Sequence, residues 1–103
     1  MILWEILVPK SKVLDDGRLD EYRLFYHCEW DDYVDNITGG LTIMRSSQGS
    51  WRDDNGGIIK ERMIPVRIAC TAEQMVMIAE FTKRHYDQEK VMYYKLSDEV
   101  YFV

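Results

Sequence analysis

The stretch LTIMRSSQGSWRDDNGGIIKERMIPVRIAC, residues 41–70, determines which fold the chain can adopt. Residues 41–52 begin as a strand, and residues 58–70 have the apolar alternation that is typical of a long strand. Between them DDNGG, residues 53–57, supplies the Asn and Gly that adopt the positive φ of a tight turn. Pro65 lacks a backbone N–H, which indicates a sheet edge or a bulge there. The stretch therefore predicts a β-hairpin in the middle of the chain.

Helices and further strands are predicted on both sides of this hairpin. Gly39 and Gly40 form a helix stop. TAEQ, residues 71–74, is a capping box, in which Thr caps a helix and Gln follows three residues later. The predicted elements outside the hairpin are a strand over 2–8, a connecting loop over 10–22, a helix over 27–38, a helix over 72–86, a strand over 90–96 and a further short strand over 99–103.

The element order is β-α-β-β-α-β, with a possible extra strand at the C-terminal end. Two βαβ halves joined by a hairpin give a ferredoxin-like α+β fold, a four-stranded antiparallel sheet with both helices on one face. A chain of 103 residues forms one such domain, over 1–103. Trp4, Tyr93 and Tyr94 lie on strands with apolar neighbours on both sides. We therefore expect a homo-oligomer, with a dimer favoured, whose interface contains these three aromatic residues.

Charge and cysteine content exclude several classes of protein. Eighteen acidic against thirteen basic residues give a formal net charge of -5. General nucleic-acid binding is not expected, because it depends on many Lys and Arg contacts to phosphates. Cys28 and Cys70 have neither metal-site spacing nor the number that a disulfide framework needs. The start, MILWEILVPK, is too short for a membrane span and lacks a basic signal-peptide region. We expect a cytoplasmic protein that needs no metal or cofactor and has no membrane partner.

The residues that flank the central turn are the best candidates for a ligand site. Trp51 and Arg52 precede the turn and Glu61 and Arg62 follow it, so the two pairs are expected to meet across the hairpin. Arg offers a planar fork for phosphate and Trp a stacking surface, which together suit a nucleotide or another small anion. The alternative is an Arg–Glu cross-strand pair beside a packing Trp, without a ligand.

Catalytic and metal-binding alternatives rest on fewer residues. Tyr26, His27 and Glu61 are the candidates for a small enzyme with a pocket between helices and sheet. No nucleophile motif stands near His27, which we expect to begin the first helix, and His85 suits the end of the second. The acidic runs are typical of solvated faces rather than of a metal site. The sequence therefore favours a protein that acts by binding rather than by catalysis.

The segment GGLTIMRSSQGSWRDDNGGIIKERM, residues 39–63, resembles a family of putative lipoproteins of unknown function. In that family a GLT strand leads to G-x-W, a Gly-containing turn and an ER pair. The departure is that the family is exported, whereas we expect no signal peptide in this chain, whose start lacks a basic region. The matching positions are Gly40, Leu41, Thr42, Gly49, Trp51, Gly56, Glu61 and Arg62.

Most of the chain is also similar to small uncharacterised proteins of tailed phages. The segments that carry the resemblance are ILWEILVP, ITGGLTI, ERMIPVRIACT and YYKLSDEV. The resemblance implies a phage or prophage origin and a compact α+β fold, and it supplies no catalytic residues. Small phage proteins of this kind often inhibit host defences or sequester a signalling nucleotide, and by analogy the resemblance implies such a role here. The expected function is therefore that of a phage accessory protein that binds a host defence protein or a small anionic ligand; a small dimeric enzyme and a purely structural oligomer are the alternatives.

Overall fold

The computed structural model describes all residues from Met1 to Val103. It contains two helices and seven strands in one chain. In order they are β1 (Ile2–Pro9), β2 (Ser11–Val13), β3 (Leu19–Glu21), α1 (Leu24–Thr38), β4 (Thr42–Ile43), β5 (Ser47–Arg52), β6 (Ile58–Cys70), α2 (Ala72–His85) and β7 (Tyr93–Ser97).

The main sheet is antiparallel throughout and has β6 and β1 at its centre. Its order is β4-β6-β1-β7, and β5 pairs with β6 on the same side as β4. With β4 and β5 taken together as one interrupted strand, this is the order that two βαβ halves and a central hairpin produce. The predicted ferredoxin-like α+β fold is therefore confirmed.

The core lies between the two helices and one face of this sheet. Ile6 pairs with Val66 and Trp4 with Ile68, so even-numbered residues of both central strands point toward the helices. Trp30 of α1 and Ile78 of α2 are fully buried against them. The whole core cluster comprises Ile6, Val8, Trp30, Val34, Val66, Ile68, Cys70, Met75, Ile78, Ala79 and Tyr86.

The helix ends follow local rules that the sequence displays. Thr71 and Gln74 form the predicted capping box, each side chain accepting a hydrogen bond from the other's backbone N–H. Gly39 ends α1 in the left-handed region, at φ 83°, and its N–H donates to the Asp35 carbonyl at 2.8 Å. The first helix starts earlier than predicted, at Leu24 rather than at residue 27, and no side chain caps it there.

Pro65 marks the place where the partner strand of β6 is interrupted. Residues 44–46 oppose only residues 64–65, so the pairing skips one residue. The Met44 N–H donates to the Pro65 carbonyl at 2.9 Å. Because the N and the C=O of one strand residue point to the same side, the Pro65 nitrogen, which has no hydrogen to donate, also faces the interrupted partner strand. The predicted bulge is confirmed, and the strand predicted over 41–52 is in fact two short strands.

Three other predictions about elements need correction. Residues 10–22 are not only a loop, because β2 and β3 pair in a small hairpin that joins Ser11 to Glu21. The last strand covers Tyr93–Ser97 rather than 90–96, and residues 99–103 form no strand. Neither helix is both long and apolar enough to cross a bilayer.

Candidate functional site

The sheet face opposite the helices, called the open face below, is the first place where a site can form. Odd-numbered residues of β1 and β6 point to this face because side chains alternate along a strand. No helix packs against it, and it remains partly exposed. Its apolar members are Leu3, Leu7, Met63, Pro65 and Ala69.

A charged residue interrupts this apolar surface at its centre. Glu5 lies directly opposite Arg67 on one neighbouring strand and opposite Tyr94 on the other. Its residue exposure is only 9%, although it lies on the uncovered face. The Arg67 Nε donates to Glu5 Oε1 at 3.1 Å, and the Tyr94 hydroxyl donates to Oε2. The three side chains form one row across β6, β1 and β7, the Glu5–Arg67–Tyr94 cluster.

The cluster keeps capacity for a ligand. Its hydrogen bond to Glu5 raises the pKa of Tyr94, so the phenol stays protonated and remains a donor. Each Glu5 oxygen receives one hydrogen bond, whereas an ionised carboxylate offers about four acceptor positions. The Arg67 side chain is 45% exposed and has further N–H groups beyond Nε. The site therefore suits a molecule with hydroxyl or cationic groups near Glu5 and an anionic group near Arg67.

Sequence reasoning missed this cluster as a site. Two features of the sequence pointed to it. Glu5 is a single charge inside the apolar run ILWEILV, and the alternation along β6 places the Arg67 side chain on the other face of the strand from Val66 and Ile68. Alternation assigns each residue to a face but does not give the register between strands. The partners of Glu5 lie 62 and 89 positions away along the chain, so no local pattern reveals them.

The predicted hairpin exists, but its register differs from the expected one. Trp51 pairs with Ile59 and Arg52 with Ile58, so neither lies opposite Glu61 or Arg62. Arg62 instead donates to Ser46 Oγ at 3.2 Å. The expected meeting of the two flanking pairs, and the alternative Arg–Glu cross-strand pair, are both wrong.

The four predicted ligand residues also divide between the two faces of the hairpin. Trp51 and Glu61 share one face, and Arg52 and Arg62 share the other, because residues of opposite parity point apart. Arg52 bends back to the turn, where it donates to the Gly56 carbonyl at 3.2 Å. A stacking Trp and two phosphate-binding Arg side chains therefore do not face one common surface within a single chain.

The glycines of this stretch serve the turn. Gly56 has a φ of 81°, a conformation that residues with a Cβ rarely adopt. Asp53 organises the loop, since its Oδ1 accepts from the N–H groups of Asn55 at 3.0 Å and Gly57 at 2.7 Å. The interpretation of DDNGG as a hairpin turn is confirmed.

The three predicted interface aromatics do not share a face. Trp4 points toward the helix side, where its Nε1 donates to the Cys70 carbonyl at 3.2 Å. The Tyr93 ring lies 6.1 Å from it, centroid to centroid. Tyr94 alone is on the open face, in contact with Glu5. Of these three residues, only Tyr94 is therefore placed to contribute to an interface on the open face.

The predicted enzyme residues are likewise separated. His27 lies in the first turn of α1, and its Nδ1 is 2.7 Å from the Tyr86 hydroxyl. His85 Nε2 donates to the Tyr26 carbonyl at 2.7 Å. Glu61 is on the hairpin, so Tyr26, His27 and Glu61 do not form one constellation.

These contacts fix the ionisation of the buried groups between the helices. Burial raises the pKa of Tyr86, so its hydroxyl keeps a proton to donate to His27. Burial, together with the nearby His85, lowers the pKa of His27, which favours the neutral ring. A cleft of about 550 Å³ lies beside this group and is lined in part by Tyr22, Tyr26 and His85. The hydrogen bonds of His27 and His85 connect α1 with α2 and its C-cap residue Tyr86, and each is made within the chain without a ligand.

No protein-family model matches the chain, and none of the curated proteins matches it either. Solved structures of similar fold do exist. A phage SAM lyase in complex with S-methyl-5'-thioadenosine superposes with a TM-score of 0.62 at 14% identity, over 98% of this chain and 92% of that chain. The same type of enzyme in its apo state gives a TM-score of 0.61 at 13% identity, over the same shares of both chains.

Two CutA proteins show the same likeness. CutA1 from the psychrotrophic bacterium Shewanella sp. SIB1 gives a TM-score of 0.64 at 13% identity, over 97% of this chain and 84% of that chain. CutA from Synechococcus elongatus PCC7942 gives 0.58 at 14% identity, over 93% and 76%. At such identities the likeness concerns the fold, and the chain is similar to these proteins in its entire ferredoxin-like architecture.

Proposed function

We propose that this protein binds a small adenosyl compound of the S-adenosylmethionine class on the open face, around the Glu5–Arg67–Tyr94 cluster. The observation that carries the proposal is the Glu5 carboxylate. It is nine-tenths buried, yet it lies at the centre of a face that no helix covers. Burying a charge is costly unless it has partners, and this one has two donors and unused acceptor positions.

The chemistry of the cluster matches the groups of such a ligand. S-adenosylmethionine carries a positive sulfonium, ribose hydroxyls, an ammonium group and a carboxylate. The Glu5 carboxylate suits the hydroxyls or a cationic group, and the exposed part of Arg67 suits the carboxylate. Half-buried Leu3 and Leu7 offer an apolar surface beside the cluster.

The structural neighbours support the choice of ligand class. The phage SAM lyase holds S-methyl-5'-thioadenosine, a nucleoside, on a chain of this fold and almost this length. The resemblance of the sequence to small tailed-phage proteins points to the same biological setting. We therefore propose a phage accessory protein of the host cytoplasm that sequesters its ligand, in preference to one that inhibits a host defence protein.

A second candidate function is turnover of the same ligand. The observation that favours it is the hydrogen bond between the Tyr94 phenol and the Glu5 carboxylate. A protonated acid next to a carboxylate base, on an apolar surface, is the pairing that general acid–base catalysis uses. Sequestration and turnover differ in whether the ligand emerges unchanged.

Isothermal titration with S-adenosylmethionine, S-methyl-5'-thioadenosine and ATP tests the proposal. We expect binding of the first two and much weaker binding of ATP, whose triphosphate meets only one cation in the cluster. Glu5→Gln should weaken binding at least tenfold, because it removes the charge from a nearly isosteric side chain. Glu80→Gln, which changes an exposed carboxylate on α2, is the matched control.

The outcomes separate the two functions. Release of S-methyl-5'-thioadenosine from S-adenosylmethionine, detected by chromatography and lost in Glu5→Gln, establishes turnover. Binding without any change of the ligand establishes sequestration. Equal affinity of wild type and Glu5→Gln for every compound would remove the cluster as the site.

A further inference from the structure

The hairpin stands out from the rest of the molecule as an arm, residues 47–62. Beyond the pair of Pro9 with Met63, the Lys10 N–H donates to the Arg62 carbonyl at 3.0 Å, and from there to the turn β6 pairs only with β5. The molecule measures 48 × 28 × 23 Å, and the thirteen residues of β6 alone span about 43 Å at about 3.3 Å per residue. None of residues 47–62 is buried. The arm therefore supplies much of the length of the molecule without contributing to its core.

An arm of this kind gains stability when one of its faces is covered. An isolated two-stranded hairpin is marginal in water, and this arm is held only at its base, where β6 continues into the sheet. One face of the arm carries an apolar stripe. Trp51 is 47% exposed and pairs with Ile59, and Met63 packs over Gly49 at the base. The stripe is the face on which the arm needs a cover.

The stripe and the open face form one continuous surface. Ile59, Glu61 and Met63 have the same parity on β6 as Pro65, Arg67 and Ala69, so all six point to the same side of that strand. Two uncovered apolar regions thus lie end to end. A second copy of the chain that runs antiparallel to the first can lay its stripe on the open face of the first copy and receive the first copy's stripe on its own open face.

The charges on this surface are complementary as well. Glu61 is the charged residue of the stripe, and Arg67 is the cation of the open face, with a 45% exposed side chain. When the stripe of one copy lies on the open face of another, Glu61 approaches the N–H groups of Arg67 that Glu5 does not occupy. This complementarity favours a copy of the chain as the occupant.

We infer that the arm of one copy lies on the open face of a second copy and places Trp51 beside that copy's Glu5–Arg67–Tyr94 cluster. Within one chain this contact is out of reach, since Ile59, the partner of Trp51, is eight residues from Arg67 along the same strand, about 26 Å. The site is therefore completed only by the partner. The inference deepens the proposed function and rests on it for the identity of the ligand.

Trp51 adds a second and larger aromatic face to the cluster. The cluster offers a carboxylate, a guanidinium and the half-buried ring of Tyr94, and an adenine ring is bound most simply by stacking on aromatic faces. Stacking on an aromatic side chain contributes enough to change affinity about tenfold or more. The indole would hold the base while Glu5 and Arg67 hold the remainder of the ligand.

Complementation between variants tests whether the two halves of the site come from different copies. Trp51→Ala and Glu5→Gln should each bind S-adenosylmethionine at least tenfold more weakly than wild type. After the two variants are mixed in equal amounts and allowed to exchange subunits, about a quarter of the sites should regain wild-type affinity. Ile58→Ala, on the other face of the arm, is the control and should bind like wild type.

No recovery on mixing, or wild-type affinity in Trp51→Ala, would overturn the inference while leaving the proposed function standing. A ligand-free measurement covers the case in which no adenosyl compound binds. In a Cys28→Ser background, Trp51→Cys and Ala69→Cys chains are mixed and oxidised. Covalent dimers that form only when the Trp51→Cys and Ala69→Cys variants are mixed support the proposed position of the arm. The absence of such dimers overturns it.

Discussion

Trp30 of α1 donates a hydrogen bond from its indole Nε1 to Thr82 Oγ1 of α2 at 2.7 Å, and both side chains are buried. The Thr82 hydroxyl in turn donates to the Ile78 carbonyl at 2.6 Å. The hydroxyl thus serves as both acceptor and donor within the apolar core. This contact joins the two helices inside the apolar core.

Thr82→Val should destabilise the protein by about 1–3 kcal/mol, because it keeps the shape of the side chain but leaves the Trp30 N–H without an acceptor. Urea denaturation followed by circular dichroism measures the change. Thr42→Val, at an exposed position on β4, should change stability by less than about 0.5 kcal/mol. Equal effects of the two substitutions would show that the Trp30 hydrogen bond contributes nothing measurable.

Stability should fall as the solution becomes acidic, in part because of His27. Burial and the neighbouring His85 lower the pKa of His27 in the folded protein below its ordinary 6.5. Below pH 6.5 the unfolded chain therefore binds a proton at His27 more readily than the folded chain does. The free energy of unfolding is unaffected by His27 above pH 6.5, and it decreases as the pH falls from 6.5 toward the pKa of His27 in the folded protein. Urea midpoints measured between pH 5 and pH 8 should show a shallower slope in His27→Gln. The same slope in both proteins would contradict the prediction.

Tyr94 should titrate at higher pH than an ordinary tyrosine, and Glu5 should be the cause. Its hydrogen bond to Glu5 raises the pKa of Tyr94, since ionisation would place two negative charges together. Absorbance of phenolate at 295 nm, compared between wild type and Tyr94→Phe, isolates this group. In Glu5→Gln its pKa should return toward 10. An unchanged titration curve in Glu5→Gln would mean that the two side chains do not interact in solution.

Adjacent glycines after α1 should respond differently to the same substitution. Gly39 has a φ of 83°, whereas Gly40 has no positive φ and open space at its Cβ position. Gly39→Ala should cost about 1 kcal/mol, because alanine is strained in the left-handed region. Gly40→Ala should be neutral or slightly stabilising, since it restricts the unfolded chain. Thermal melts of both variants measure the two changes in stability. A larger loss of stability in Gly40→Ala than in Gly39→Ala would refute the assignment of Gly39 as the helix stop.

Features that depend on a few neighbouring residues were predictable from the sequence. The capping box at Thr71 and Gln74, the stop at Gly39 and the turn at Gly56 are each determined within about four positions. The element order followed from them, and with it the fold. The same local rules erred at the ends of elements, as at Leu24, where no capping side chain announces the helix.

What the sequence did not reveal was which strand residues face one another. Trp51 and Glu61 were expected to be neighbours across the hairpin, yet the register sets Trp51 against Ile59. Glu5 was visible as a charge in an apolar strand, but its partners Arg67 and Tyr94 come from the far side of the chain. Register depends on packing of the whole sheet, and a shift by one residue exchanges the two faces.

The central position of β1 has a consequence for how the chain folds. Its partner β6 lies more than fifty positions further along, from the Pro9–Met63 pair to the Ile2–Cys70 pair. Contacts of such high sequence separation close large loops and slow the folding reaction. On the ribosome, which releases the N-terminal end first, the apolar strand ILWEILV must wait until Met63 to Cys70 have emerged before it can pair with them. Within that run Glu5 is the one charged residue, and a charge inside an apolar segment disfavours its association with other apolar segments before it pairs.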